Sequence, residues 1–287
     1  MCIAAGANPT AASKAASIEV SMGGRSKWSP AATPQIAGAS FTSSACWTSG
    51  CLIGGTANGG TVVLLVNPAE KVSSDGVARP PGLGISGLAC TGSGRCLALV
   101  STATTTAVFE TTDSASSWHQ LSTLPERLAS AAGLSCANAV QCVAVGSGPS
   151  GAAVVTTRDG GRRWALAARP GGYQAFTSVG CGPALECLAT VRVTAGATQL
   201  LESRNAGRSW TALAVSVPSP GAVECATDAT CLVGGGTTGG AISTFVRLLH
   251  ERPLTLAYVP DPVVAVACAT PKRCVAITPA STVSVVA

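Results

Sequence analysis

Few side chains in this 287-residue chain are of a kind that does chemistry, so they can be weighed almost one at a time. There are 13 Asp and Glu, two His, two Tyr and 13 Cys. An ordinary glycosidase needs two carboxylates about 5–9.5 Å apart, one to donate a proton and one to act as base or nucleophile. Glu126, Glu224, Asp228, Glu251 and Asp261 are the candidates, but they are spread as thinly as a surface background would be. Glu110 and Glu202 take equivalent places in a repeated pattern, which marks a repeat position and not a site. His119 and His250 stand in unrelated contexts, so no Ser-His-Asp set can be drawn. The glycine-rich GGGTTGG at 234–240 lies between strand-like segments and does not open a helix, so it is no phosphate cradle.

The cysteines are different, because their spacing is regular. They pair as Cys46/Cys51, Cys90/Cys96, Cys136/Cys142, Cys181/Cys187, Cys225/Cys231 and Cys268/Cys274, with first members 44, 46, 45, 44 and 43 residues apart. Zinc favours Cys-x(2–4)-Cys and four ligands. Each pair would need two more ligands from a chain with two histidines, so the pairs read as disulfides and no metal or other cofactor is expected. Six bridges imply an oxidising compartment, secreted or at the cell surface. Cys2 is left without a partner, which suggests missing upstream residues; a lipid-anchored Cys2 lacks a lipobox.

A period of this size calls for a repeat architecture. Around each pair stands an apolar strand, a Cys, a short polar loop, a Cys and another apolar strand, as in LSCANAVQCVAVG: a β-hairpin with cysteines at the mouth of its loop. After Cys142 follow a Gly/Ser loop, AAVVTT, the turn TRDGGRRW (157–164) and ALAA, giving four short strands A to D per unit. Four strands in about 44 residues, repeated around the chain, predict an all-β, β-propeller fold of four-stranded antiparallel blades. Roughly 26 strands fit seven blades with incomplete terminal ones, or six closed by pairing the chain ends. The units fall near 1–38, 39–83, 84–129, 130–174, 175–218, 219–261 and 262–287, read as one domain.

The turn at 157–164 has looser copies, TTDSASSW (111–118) and SRNAGRSW (203–210). It resembles the Asp-box, or BNR repeat, Ser/Thr-x-Asp-x-Gly-x-Thr/Ser-Trp. Thr157, Asp159, Gly161 and Trp164 fill four of its five fixed positions, with Arg163 where Ser or Thr is usual. The other copies supply Thr111, Asp113 and Trp118, with Ala115 for Gly, and Ser203, Asn205, Gly207 and Trp210, with Asn for Asp. Together with the cysteine ladder, the chain is similar to the propellers grouped as sialidase-like, BNR or photosystem-assembly-factor-like. In that group the box is a structural turn away from the active centre. Sialidases of the group clamp a carboxylate with three arginines and use a Tyr nucleophile with a Glu, and an Asp acid/base. Only Tyr173 and Tyr258 are available here, and no Arg-Ile-Pro motif opens the chain, so sialidase activity is not expected.

Strand direction puts the disulfide loops and the C–D turns on one face, and the B–C and D–A connections on the other. The second face carries the longer connections, 29–40, 67–86, 119–132, 165–175, 211–221 and 251–263, and ligand contacts concentrate in such loops. Arg127, Arg169, Tyr173, Arg192, Tyr258 and Asp261 are therefore the expected ligand-binding residues, with Leu124 beside them.

Composition narrows the rest. Charged residues are 11% and aromatic residues 4%, with a formal net charge of +5. No run of five basic residues occurs, so no nucleic-acid partner is expected, and Arg162-Arg163 and Lys272-Arg273 read as solvated turn residues. No apolar stretch approaches the roughly 18–20 residues of a membrane span. No signal peptide is visible, so export would rest on a signal outside these residues. The expectation is a non-catalytic extracytoplasmic propeller binding a protein or cell-envelope glycan. A glycoside hydrolase with a degenerate site, or one propeller of a larger surface protein, are the alternatives.

Overall fold

A computed structural model gives strands along the whole chain and no helix among the described residues. The described residues are 2–7, 16–21, 29–30, 34, 36–47, 50–67, 69, 71–92, 94–168, 171–193, 197–213, 220–226, 230–235, 243–249, 252–259, 265–270, 273–277 and 282–286. Seven antiparallel sheets are described, called blades I to VII here. Blade I is β1 (Cys2–Ala7), β2 (Ala16–Ser21) and β3 (Ser29–Pro30). Blade II is β4 (Ser40–Trp47), β5 (Gly50–Ala57), β6 (Gly60–Val66) and β7 (Val72–Ser73). Blade III is β8 (Gly84–Thr91), β9 (Arg95–Ser101), β10 (Thr106–Thr111) and β11 (His119–Thr123). Blade IV is β12 (Ser130–Cys136), β13 (Cys142–Gly148), β14 (Gly151–Thr157) and β15 (Ala165–Leu166). Blade V is β16 (Tyr173–Cys181), β17 (Cys187–Val193), β18 (Thr198–Ser203) and β19 (Thr211–Ala212). Blade VI is β20 (Pro220–Ala226), β21 (Thr230–Gly235), β22 (Ser243–Leu249) and β23 (Arg252–Val259), and blade VII is β24 (Ala265–Thr270), β25 (Arg273–Ile277) and β26 (Thr282–Val286).

Each sheet is ordered as its strands run in sequence. The leading strands touch in a ring: β1 meets β4, then β8, β12, β16, β20 and β24 follow, and β24 returns to β1. The fold is a β-propeller, as the period of the cysteines requires. One detail differs from the sequence reading. The long D–A connections contain the D strands, such as β7 within 67–86 or β11 within 119–132, so the loops of that face are shorter than they read.

The cysteine pairs sit directly opposite each other across the A–B hairpins, from Cys46↔Cys51 through Cys225↔Cys231. Those five pairs are disulfides, each with Cα atoms 4.0 Å apart. Cys268 and Cys274 are in the same register, but their sulfurs and the surroundings of Cys2 lie outside the described residues. The second cysteine of a pair also faces the residue that opens the C–D turn: Cys96↔Thr111, Cys142↔Thr157 and Cys187↔Ser203. Disulfide and turn are therefore one cross-strand row. In blade II Val66 fills the row's last place, and no such turn follows.

Side chains alternate between the two seams that flank each blade, as a period of two demands. On β13, Val143 and Val145 enter the core between blades IV and V, whereas Cys142 and Ala144 enter the core between III and IV. The tryptophans of the turns are half-buried and fill the seam with the preceding blade: Trp118 between II and III, Trp164 between III and IV, Trp210 between IV and V. Trp210 packs on Phe176 with ring centroids 5.5 Å apart.

The inner strands carry a second device. Each of β4, β8, β12, β16 and β20 has a register shift, with Thr42, Ser86, Ala132, Thr177 and Gly221 as the extra residues. The next residue faces the neighbouring blade's backbone. Ser43 Oγ accepts from Leu88 N at 2.9 Å, and Ser178 Oγ accepts from Val223 N at 3.2 Å. In blade III the place is Gly87, where a Cβ would come within 3.0 Å of Leu134 N. A small hydroxyl that bridges, or no side chain at all, lets adjacent inner strands close up.

Candidate functional site

The C–D turns come first, because their polar groups are almost wholly accounted for. In blade IV, Thr157 Oγ1 donates to Asp159 Oδ1 at 2.8 Å and accepts from Gly161 N at 3.0 Å, while Asp159 Oδ1 accepts from Arg163 N at 2.9 Å. Blade III repeats this with Thr111, Asp113, Ala115 and Ser117, and adds Ser117 Oγ donating to Asp113 Oδ2 at 2.6 Å. Hydrogen bonds from the Ser117 hydroxyl and main chain and from Thr111 hold the Asp113 carboxyl down at about 2. Asp159 is lowered too, first by the Arg163 N–H, then by the Thr157 hydroxyl. In blade V Asn205 works in place of Asp because only acceptor oxygen is needed inside the turn. Its Oδ1 takes Ser209 N at 2.9 Å and Ser203 Oγ at 3.0 Å, and its Nδ2 donates to Ser209 Oγ at 2.8 Å. Two left-handed residues follow one another in each turn, at Ser114–Ala115, Gly160–Gly161 and Ala206–Gly207. The first donates its N–H to the disulfide loop of its own blade, at Gly94 O, Val140 O or Leu185 O. In these turns the opening hydroxyl and one acid or amide oxygen serve to close the turn.

On the opposite face the expected ligand-binding residues fall in different places. Arg127 is exposed in the connection between β11 and β12. A Cβ on Gly148 would lie 1.9 Å from the Arg127 carbonyl oxygen, and one on Gly151 2.6 Å from that of Tyr173. Gly148 and Gly151 pair across the tight turn joining β13 and β14, so the main chains at Arg127 and Tyr173 press on the two ends of that turn. Arg192, exposed on β17, pairs with Ala175 two residues beyond Tyr173. Tyr173 is the first residue of β16 and not a loop residue; it is half-buried, and its hydroxyl donates to Gln199 Oε1 at 3.1 Å. Leu124 is 3% exposed and belongs to the core between blades III and IV, so it presents no contact surface there. Tyr258 stands on β23 opposite Thr244, with its side chain outside the described set; Arg169 and Asp261 lie outside the described residues.

The two candidate carboxylates that lie among the described residues do not converge. Glu126 precedes β12, and Glu224 lies on β20, two blades further on. Glu224 is only partly covered as a residue, yet desolvation of its carboxyl pushes it up to about 7. Asp228, Glu251 and Asp261 lie outside the described residues. No group of three His, Cys, Asp or Glu that could hold a metal occurs among the described residues.

A site that sequence reading missed lies on the outer edge of blade IV. It is an open depression of about 570 Å³ beside β15, rimmed by Arg158 and Arg163 of that blade's C–D turn and by Arg208 of the turn in blade V. Trp164 and Leu166 line it too, together with Thr156, Asp159 and neighbouring alanines. Arg163 was read as a solvated turn residue; it is exposed, and it also lines this depression. No sequence signal marks the site, because it joins residues about a full repeat apart.

No family model matches the chain, and no curated protein matches it. Solved structures do. YCF48 bound to D1 peptide aligns at 12% identity with a TM-score of 0.58, over 84% of this chain and 76% of that one. YCF48 from Cyanidioschyzon merolae aligns at 15% with a TM-score of 0.55, over 83% and 79%. The GH74 xyloglucanase from Xanthomonas campestris aligns at 16% with a TM-score of 0.57, over 84% of this chain but 42% of the enzyme. At such identities the likeness establishes the propeller fold alone. No helix among the described residues is long and apolar enough to cross a membrane.

Proposed function

We propose that residues 1–287 form one extracytoplasmic propeller domain of the Asp-box class that binds a protein or cell-envelope glycan without catalysis. The five disulfides support an oxidising location. The reciprocal Thr–Asp turn bonds support the class. The observation that carries the binding reading is the seam between blades IV and V on the loop face. There the main chains at Arg127 and Tyr173 abut one turn, and exposed Arg192 stands on the next strand. Tyr173 is held by Gln199, so it meets a ligand already fixed in place. Two cations and an ordered aromatic ring suit a polar, partly anionic ligand. Arg169, Tyr258 and Asp261 extend the same proposal around the face.

The test is an array carrying neutral and acidic glycans beside extended peptides, probed with the wild-type chain and with Tyr173→Ala/Arg192→Ala. Retention of one ligand class by the wild type, lost in the double variant, is expected. Equal retention by both proteins, or none by either, overturns the reading.

A glycan-cleaving reading has one observation behind it: a carboxyl raised to about 7, as at Glu224, keeps a large protonated fraction near neutrality and suits a general acid. It needs a second carboxylate within reach. Release of reducing ends from a glycan panel by the wild type, abolished in Glu224→Gln, would support it.

A further inference from the structure

We infer that the arginine-rimmed depression on the outer edge of blade IV is a docking site for an acidic, extended polypeptide segment. It stands apart from the loop face and does not depend on that face's occupancy.

The two arginines of blade IV are not required by the turn that bears them. Blade III folds the same turn with Thr112 where blade IV has Arg158 and with Ser117 where it has Arg163; blade V keeps an arginine, Arg204, at the former place and has Ser209 at the latter. Ser117 even contributes a bond to the second carboxylate oxygen that Arg163 has no hydroxyl to make. Blade IV therefore gives up a turn contact and gains a guanidinium on the rim. Charge is unbalanced there: three arginines face one acid, Asp159, whose Oδ1 is already engaged by Thr157 and by the Arg163 N–H. Arg208 is anchored, its Nε donating to Asn205 O at 2.9 Å, and its own carbonyl accepts from Ala168 N, which ties the two blades at the depression.

The rest of the lining says what kind of anion fits. β15 is the last strand of its sheet, paired with β14 through Val155↔Leu166 and Thr156↔Ala165, and no strand among the described residues pairs on its outer side. Beside this open edge, Leu166 is 50% exposed next to half-buried Trp164. An extended peptide uses all three features: main-chain groups for the edge, an apolar side chain for Leu166, and carboxylates for the guanidinium forks. A sulfated sugar would use the arginines alone.

Fluorescence anisotropy with a labelled peptide of alternating glutamate and leucine tests this, with a lysine-for-glutamate counterpart and a sulfated oligosaccharide as controls. The wild type is expected to bind the acidic peptide, with affinity falling roughly tenfold on moving from low to physiological salt. Arg158→Thr/Arg163→Ser, which copies the blade III residues, should keep its melting transition and lose at least about tenfold in affinity, as ion pairs to two guanidiniums imply. Leu166→Asp should weaken binding as well, whereas Tyr173→Ala should leave it unchanged and so separates this site from the loop face. Unaltered peptide binding by a folded double variant, or binding of the sulfated oligosaccharide without the peptide, overturns the inference. If the double variant does not fold, arginine modification of the wild type decides: peptide protection of Arg158, Arg163 and Arg208 supports the site, and no protection overturns it.

Discussion

Arg95 of blade III donates from Nη2 to the carbonyl oxygen of Gly160 in the C–D turn of blade IV, at 2.9 Å. The same guanidinium reaches Ala139 O in the disulfide loop of blade IV at 3.1 Å and pairs with Glu110 of its own blade at 2.8 Å. One side chain thus joins both motifs of the next blade to the sheet behind it. Arg95→Met should lower stability by about 2 kcal/mol, since charge-assisted bonds are lost and two carbonyls are left to solvent. Urea unfolding would measure it; an unchanged midpoint would show that water replaces the arginine at no cost.

The left-handed glycine of blade V is tightly enclosed. A Cβ on Gly207 would lie 2.7 Å from Val143 Cγ2, at a φ of 78°. Gly207→Ala should therefore cost roughly 1–3 kcal/mol from overpacking and backbone strain. Blade III already holds Ala115 at the same place, fully buried with Leu52 in its cluster. Ala115→Gly should be close to neutral, with relieved strain set against a lost buried methyl group. Thermal melting of both variants gives the comparison.

Asp113 predicts an acid-limb effect. Its carboxyl is held at about 2 in the folded chain against about 3.9 when unfolded, so ionised Asp113 favours folding above roughly pH 4. That advantage fades as pH falls toward 2. Asp113→Asn keeps an acceptor oxygen, as Asn205 does in blade V, and should fold. The stability gap between wild type and variant should narrow across that window, and a gap independent of pH would contradict the hydrogen-bond origin of the shift.

Glu224 predicts the opposite sign. Its folded carboxyl sits at about 7, above the unfolded value near 4.3, so the protonated form is the one favoured by folding. The contribution is complete below about pH 4.3 and lost as pH rises through 7. Glu224→Gln should match the wild type near pH 4 and exceed it by roughly 1–3 kcal/mol at pH 8. A variant no more stable than the wild type in alkali would show that the carboxyl is solvated.

Thiol counting under denaturing, non-reducing conditions should find one reactive cysteine. Five bridges account for ten cysteines, and the register of Cys268 with Cys274 suits a sixth. Three reactive thiols would mean that the sixth does not form. Twelve or thirteen would remove the argument for an oxidising compartment.

The propeller was legible because its cause is periodic and local. Cysteines five or six apart, apolar runs of strand length and Asp-Gly-Gly before Trp164 each specify a hairpin or turn from neighbouring residues. The site was not, because its causes lie between blades. Nothing near Leu124 in the sequence says that it faces a core, since the atoms that cover it come from adjoining sheets. Arg158 and Arg208 are 50 positions apart and meet only because two repeats stand side by side. The bulges at Thr42, Ser86, Ala132, Thr177 and Gly221 share a position but no single residue type, so only the backbone reveals them.

Every described cross-link spans five or six positions and stays inside one ribbon. A whole unit can thus be duplicated or deleted during evolution without stranding a sulfur whose mate lies elsewhere. Oxidative maturation gains from the same arrangement. Each pair meets its proper mate as soon as a dozen or so residues have emerged, long before any wrong mate is at hand.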